Sequence, residues 1–201
     1  MDQRMKDFMD KNSSFSAEEM EAIIKELVIE SYEKNTILLK QGEISTKCYF
    51  VLKGCVRQYF NDEDGKEVTV NFFTEEQAVV LFKSYKNKVP SEYFLACSEE
   101  SMLVVGTLES EETMYRQFPV LEKLTRDMVE ENFGKEQDER ARSIAAAPEE
   151  RYQLLLKQRP ELINRVPQHQ LASYLGITPE SLSRIKKRIS QGSYSIVFHP
   201  L

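Results

Sequence analysis

The stretch QHQLASYLGITPESLSRIKKRI, residues 168–189, carries apolar side chains at Leu171, Leu175, Ile177, Leu182, Ile185 and Ile189, a spacing that lets all six meet in one small core. Two short helices follow from it. Gly176 lies between them, where a tight turn needs a residue that accepts positive φ, and Ala172 is small where a second helix must cross closely. Thr178 suits an N-cap, Pro179 the first helical position and Glu180 the first turn, so each local preference places a helix start there. The segment reads as a helix-turn-helix.

On the second helix Leu182, Ile185 and Ile189 turn inward, while Ser181, Arg184, Lys187 and Arg188 share the opposite face. That face is cationic and rich in hydrogen-bond donors. In a DNA-binding helix-turn-helix the residues near the start of this helix reach base edges in the major groove, where an arginine can grip guanine with two hydrogen bonds. Arg184 is the best-placed reader. Lys186, Lys187 and Arg188 lie further along and suit phosphates, where Gln168 and His169 can join them from the start of the first helix. Paired amphipathic helices with a glycine turn also occur in many all-α proteins, and basic residues at a helix C-terminus simply complement its dipole. The combination of Ala172, Gly176, six core positions and the Thr-Pro start favours DNA over that plainer reading.

The charge distribution agrees. The whole chain of 201 residues has a formal charge of −6, which would not mark a nucleic-acid binder. Residues 140–201 contain ten Lys or Arg against four Asp or Glu, or +6, which leaves residues 1–139 with seventeen against twenty-nine, or −12. The basic segment is the one that holds the two helices.

Upstream, Ser16 and Glu19 form a capping-box pattern ahead of Met20, Ile23, Ile24 and Leu27, so a short amphipathic helix is expected to open the ordered chain. Strands are expected at 36–39, 48–52, 56–60, 67–73 and 101–107, with Asp64-Gly65 supplying a hairpin turn. Pro119 then begins a long helix toward Ala147 whose apolar stripe thins after Phe133, and Pro148 ends it or starts the next. Tyr152, Leu155 and Leu156 give that next helix a core-facing side.

Several classes drop out. No apolar run approaches the roughly 18 residues of a membrane span, and MDQRMKDFMD has no signal-peptide core, so a cytoplasmic protein is expected. Cys48, Cys55 and Cys97 are an odd number without a CxxC pair, which fits a reducing compartment and small buried hydrophobes better than a thiol sensor. No catalytic triad, phosphate-cradling glycine loop or HExxH-type metal spacing occurs, so neither catalysis, a metal nor a cofactor is expected.

A glycine-punctuated β half, a long helix and a C-terminal helix-turn-helix together resemble the CRP/FNR family of bacterial transcription factors. The residues that carry the resemblance are QGE at Gln41–Glu43, YFVLKG at Tyr49–Gly54, DEDGKE at Asp62–Glu67 and, most specifically, LASYLGITPESLSRIKK at Leu171–Lys187. It implies an α+β architecture: a β jelly-roll like a cyclic-nucleotide-binding domain over residues 1–115, a dimerisation helix over 116–147, and a winged helix-turn-helix over 148–201. By the family's pattern Glu180 and Arg184 contact bases. With Thr178, Ser181, Ser183, Lys187, Arg188, Gln168 and His169 they form the candidate DNA-contacting set. The implied partners are a second copy of the chain and a near-palindromic operator, with RNA polymerase and an unidentified small-molecule effector as further candidates.

The sensor half departs from the best-known members. Cyclic-nucleotide binders hold the ribose and phosphate with a Gly-Glu pair and a later Arg-Ser or Arg-Thr pair, whereas this chain has Val79 and Val80 at the first and Pro90 before Ser91 at the second. A buried phosphate needs a charge-assisted partner that these cannot supply, and Lys83, Lys86 and Lys88 read as a solvated loop. His169 and His199 both lie outside the sensor half, which excludes histidine-ligated haem there, and three scattered cysteines do not make a four-cysteine cluster. What remains is an apolar pocket near Phe82, Tyr85, Ser91, Tyr93 and Phe94, expected to be filled by its own side chains, with a hydrophobic ligand as the alternative. The wing is expected to be reduced to one strand at Tyr194–Phe198. A rival reading, prompted by that short wing, is a sensor or interaction module whose DNA binding has lapsed.

Overall fold

The computed structural model describes residues 3–12 and 15–191. The expected strand at Tyr194–Phe198 therefore lies outside the described residues. Helices α1 (Gln3–Asn12) and α2 (Ala17–Glu26) open the chain, followed by β1 (Val28–Tyr32), β2 (Ile37–Leu39), β3 (Cys48–Lys53), β4 (Val56–Asn61), β5 (Glu67–Phe73) and β6 (Ala78–Val79). A short α3 (Phe82–Asn87) precedes β7 (Phe94–Cys97) and β8 (Ser101–Gly106). The elements that follow among the described residues are helical: α4 (Leu108–Gln117), α5 (Pro119–Ala145), α6 (Pro148–Gln158), α7 (Leu162–Arg165), α8 (Gln168–Tyr174) and α9 (Pro179–Ser190).

The eight strands form two antiparallel four-stranded sheets, ordered β1-β8-β3-β6 and β2-β7-β4-β5. Alternation explains the sandwich. Val51, Leu103 and Val105 from one sheet meet Val56, Phe73 and Leu95 from the other, and each buried aliphatic side chain contributes about 1.5–3 kcal/mol. The β4–β5 hairpin closes at Asp62–Lys66, where the Asp62 carboxylate accepts from the Asp64 and Lys66 amides, as the Asp-Gly pair foretells. Gly54, between β3 and β4, has φ +106, and a Cβ there would lie 2.3 Å from the Ser101 hydroxyl oxygen. Only glycine fits that turn.

The capping box of α2 is complete: the Glu19 amide donates to Ser16 Oγ and the Ser16 amide to Glu19 Oε2. The ordered chain begins earlier than its pattern implies, however. Met5, Phe8 and Met9 of α1 bury themselves against Ile23, Ile24, Leu52 and Leu124. The lysine-rich segment is likewise no loop. It forms α3, anchored by buried Ser84 and Tyr85, with Lys83 paired to Glu92 at 2.5 Å.

Helix α5 starts with Pro119 in its first turn and runs 27 residues, of which Leu124 alone is buried in this chain. Phe133 and Ile144 stand 60% and 78% exposed. Eleven residues apart at about 100° per residue, they fall on one face of the helix. Pro148 starts α6 rather than ending α5.

Candidate nucleic-acid interface

The two-helix head is built as its spacing demands. Leu171, Ala172, Leu175, Leu182 and Ile185 are buried together with Tyr152, Leu155, Leu162 and Val166, while Ile177 and Ile189 pack at the margin. Gly176 has φ +66, and a Cβ there would sit 3.3 Å from an Arg151 guanidinium nitrogen. The turn closes when the Ile177 amide donates to the Ala172 carbonyl. Thr178 is the N-cap of α9, its Oγ1 accepting from the Ser181 amide at 3.2 Å, and Pro179 occupies the first turn.

This scaffold presents Glu180, Ser183, Arg184 and Lys187 to solvent, with Gln168 and His169 exposed at the first turn of α8. Among the described residues Arg184 makes one side-chain hydrogen bond, a 3.4 Å contact to the Ser181 hydroxyl, which leaves most of its planar fork available for another partner. The Glu180 carboxyl is held below its ordinary range by its own backbone amide at the helix start, by the Thr178 hydroxyl and by Arg184. Two of the expected phosphate cations are engaged within the chain. Lys186 donates to Gln168 Oε1 at 2.7 Å, tying the two helices together, and Arg188 pairs with Glu149 of α6 at 2.6 Å.

The expected effector residues separate. Phe82, Ser91 and Tyr93 line a cavity of about 320 Å³ between the sandwich and α5, with Phe73, Val80 and Phe133. Tyr85 does not join them. It is turned into a second cavity, about 360 Å³, beside Phe8, Leu121 and Met128, where its hydroxyl donates to Glu111 at 2.8 Å and lies 3.6 Å from Cys48 Sγ. Burial, then those two hydrogen bonds, push its phenol upward. The first cavity was expected to be filled by its own side chains, whereas about 320 Å³ stays open there, with the Tyr85 ring in the second cavity. Its one lysine, Lys83, is paired with Glu92, and Ser91 spends its hydroxyl on the backbone of Tyr93.

The thiols are inert in this setting. Burial pushes Cys48 and Cys55 up to about 12 and Cys97 to about 11, so all three are protonated near neutral pH. Among the described residues no cluster of three or more His, Cys, Asp or Glu is placed to hold a metal ion, and no helix is long and apolar enough to cross a membrane.

The sandwich matches a known sequence family: the model of the cyclic nucleotide-binding domain aligns with residues 29–105. Solved structures extend the likeness through the helices that follow this domain. The chain is similar to the c-di-GMP responsive global regulator CLP of Xanthomonas campestris, with 16% identity and a TM-score of 0.68 over 92% of this chain and 96% of that one. FixK2 of Bradyrhizobium japonicum gives 19% identity and 0.66 over 86% and 89%. A CooA variant of Carboxydothermus hydrogenoformans gives 16% and 0.65 over 90% and 82%. No curated protein matches the sequence. The sandwich, the long helix and the C-terminal helices thus share the fold of these solved structures.

Proposed function

We propose that the chain is a sequence-specific DNA-binding transcription regulator that acts as a homodimer. The observation that carries this reading is the exposed face of α9, where Arg184 forms no salt bridge with any described residue, beside a capped, glycine-turned helix start. Arg184 reads guanine, and Glu180 and Ser183 contact neighbouring bases. Lys187, Gln168, His169, Thr178 and Ser181 meet the phosphate backbone, and Arg188 joins them by exchanging its Glu149 partner. Residues 1–115 serve as sensor, 116–147 as dimer helix and 148–201 as reading head. Two heads on a twofold axis reach major grooves about 34 Å apart, which calls for a near-palindromic site.

Dimerisation is supported by α5, a 27-residue helix that buries one side chain in its own chain and leaves Phe133 and Ile144 bare. The sensor cavity does not hold a cyclic nucleotide. It offers valine and proline where the phosphate clasp would stand, and its lysine is already paired. Its aromatic and aliphatic lining suits a small apolar effector.

Selection of bound sequences from a random DNA library at fixed salt tests the reading. A palindromic motif lost in Arg184→Ala supports it. Binding with a steep salt dependence and no motif overturns it in favour of lapsed, non-specific contact.

A further inference from the structure

The head does not hang free from the sandwich. Arg165, the last residue of α7, sends its guanidinium into three sandwich turns at once. Its Nη1 and Nη2 each donate at 2.8 Å to the two oxygens of Glu75, which follows β5. Nη2 and Nε donate to Glu99 Oε1 between β7 and β8, at 2.6 and 3.0 Å. Nη2 also donates at 2.8 Å to the carbonyl of Gly54, whose amide in turn donates to Glu75 Oε1 at 2.9 Å. One planar cation thus meets two carboxylates and a carbonyl, a set that a compact ammonium cannot match with the same geometry.

Contacts on the same side complete the docking. Arg159 donates to the Phe72 carbonyl at 2.8 Å, the Thr69 amide donates to Ser173 Oγ at 2.9 Å, and the Phe72 and Tyr174 rings meet edge to face at 5.4 Å. Cys55 and Phe72 of the sandwich lie in the same buried cluster as the core of the head. The side that docks is α7 and the Ser173–Tyr174 end of α8. Gln168, His169, Glu180, Ser183, Arg184 and Lys187 stay exposed while the head is docked.

We propose that Arg165 is a positioning residue for DNA reading: held by Glu75, Glu99 and the Gly54 carbonyl, it fixes how the head is carried on the sandwich, and this latched form is the one that binds operator DNA. The proposal rests on the DNA-reading function given above. A dimer must present two heads at a set separation, so a head that swivels lowers the effective concentration of the second contact without altering the first. Loss of the latch therefore weakens binding to a full palindrome and leaves binding to a single half-site intact. A residue that merely stabilised the fold would not split the two.

The test uses the full chain as Arg165→Ala, Arg165→Lys and Glu99→Gln, the last keeping side-chain shape should the first fail to fold. Amide exchange without DNA is read first. Faster exchange at Thr69 and along α8 in the variants is expected, and unchanged exchange overturns the latch. Affinity is then compared on the selected palindrome and on a duplex with one half-site. The expected result for Arg165→Ala is about tenfold weaker palindrome binding with half-site binding within about twofold of the unaltered chain, and Arg165→Lys between the two. Equal losses on both duplexes, or tighter palindrome binding, overturn the positioning role. If the unaltered chain selects no palindrome, it is the DNA-reading function that fails, and the exchange measurement judges the latch by itself.

Discussion

Arg184 and Arg165 belong to the same small helical head, yet one stands in solvent touching a single hydroxyl and the other is enclosed by two carboxylates and a carbonyl. The contrast separates two uses of one side chain. An arginine whose donors are all spent within the chain supports architecture, and one whose fork is left open can recognise an outside partner. The same distinction holds in the sandwich, where Arg57 is buried, donates to Thr69 and Glu67, and lies 4.1 Å above the Tyr59 ring. Net charge cannot make this separation; pairing can.

The largest expected effect comes from the open arginine. Arg184→Ala should weaken binding to the selected site about 10²-fold, since each bidentate base contact is worth about 1–3 kcal/mol and a dimer makes two, while the melting temperature stays put. Titration on selected and scrambled duplexes checks this, and a fall in stability instead would erase the contrast. Arg165→Ala, unlike Arg184→Ala, should also lower stability in a denaturant titration, costing about 1–2 kcal/mol once the partial exposure of its carboxylate partners is allowed for.

Thr178→Ala sharpens the comparison from the scaffold side. Losing the N-cap should cost about 1 kcal/mol of stability and loosen the start of α9 without removing a charge. Lys187→Ala should weaken all sequences alike and reduce the salt slope by about one phosphate contact per head, leaving the preferred motif unchanged. The smallest effect is on pH. Burial pushes the Glu75 carboxyl up, but the hydrogen bonds from Arg165, those from the Gly54 amide and its own amide, and the Arg165 charge together outweigh it and hold the group below its usual value. Its contribution is therefore present above the ordinary carboxylate range and is lost as pH falls through the lowered folded value, a small effect read in unfolding titrations carried from neutral to acid pH.

The head was legible because its signals are local: a cap, a proline, a glycine and six apolar positions within 22 residues. The β4–β5 hairpin was legible for the same reason. Strands β1 and β7 were not, because Glu30, Ser31 and Ala96 interrupt their apolar pattern and pairing with β8, and with β2 and β4, supplies what the pattern lacks. Tyr85 was placed in the wrong cavity, since its direction depends on Glu111, 26 residues away. Arg165 drew no notice in ELINRVPQ because its partners lie 66, 90 and 111 residues from it. No local periodicity reports contacts at that range.

Strand β5 is the outer strand of its sheet, and a sheet edge with unspent amides is a template for pairing with other chains. Here the Ser173 hydroxyl, delivered by the docked head, takes up the Thr69 amide on that edge. A swinging head would uncover the edge each time it left. Docking therefore protects solubility as well as geometry: chains that lose it should assemble edge to edge and drop out of solution at concentrations the latched protein tolerates.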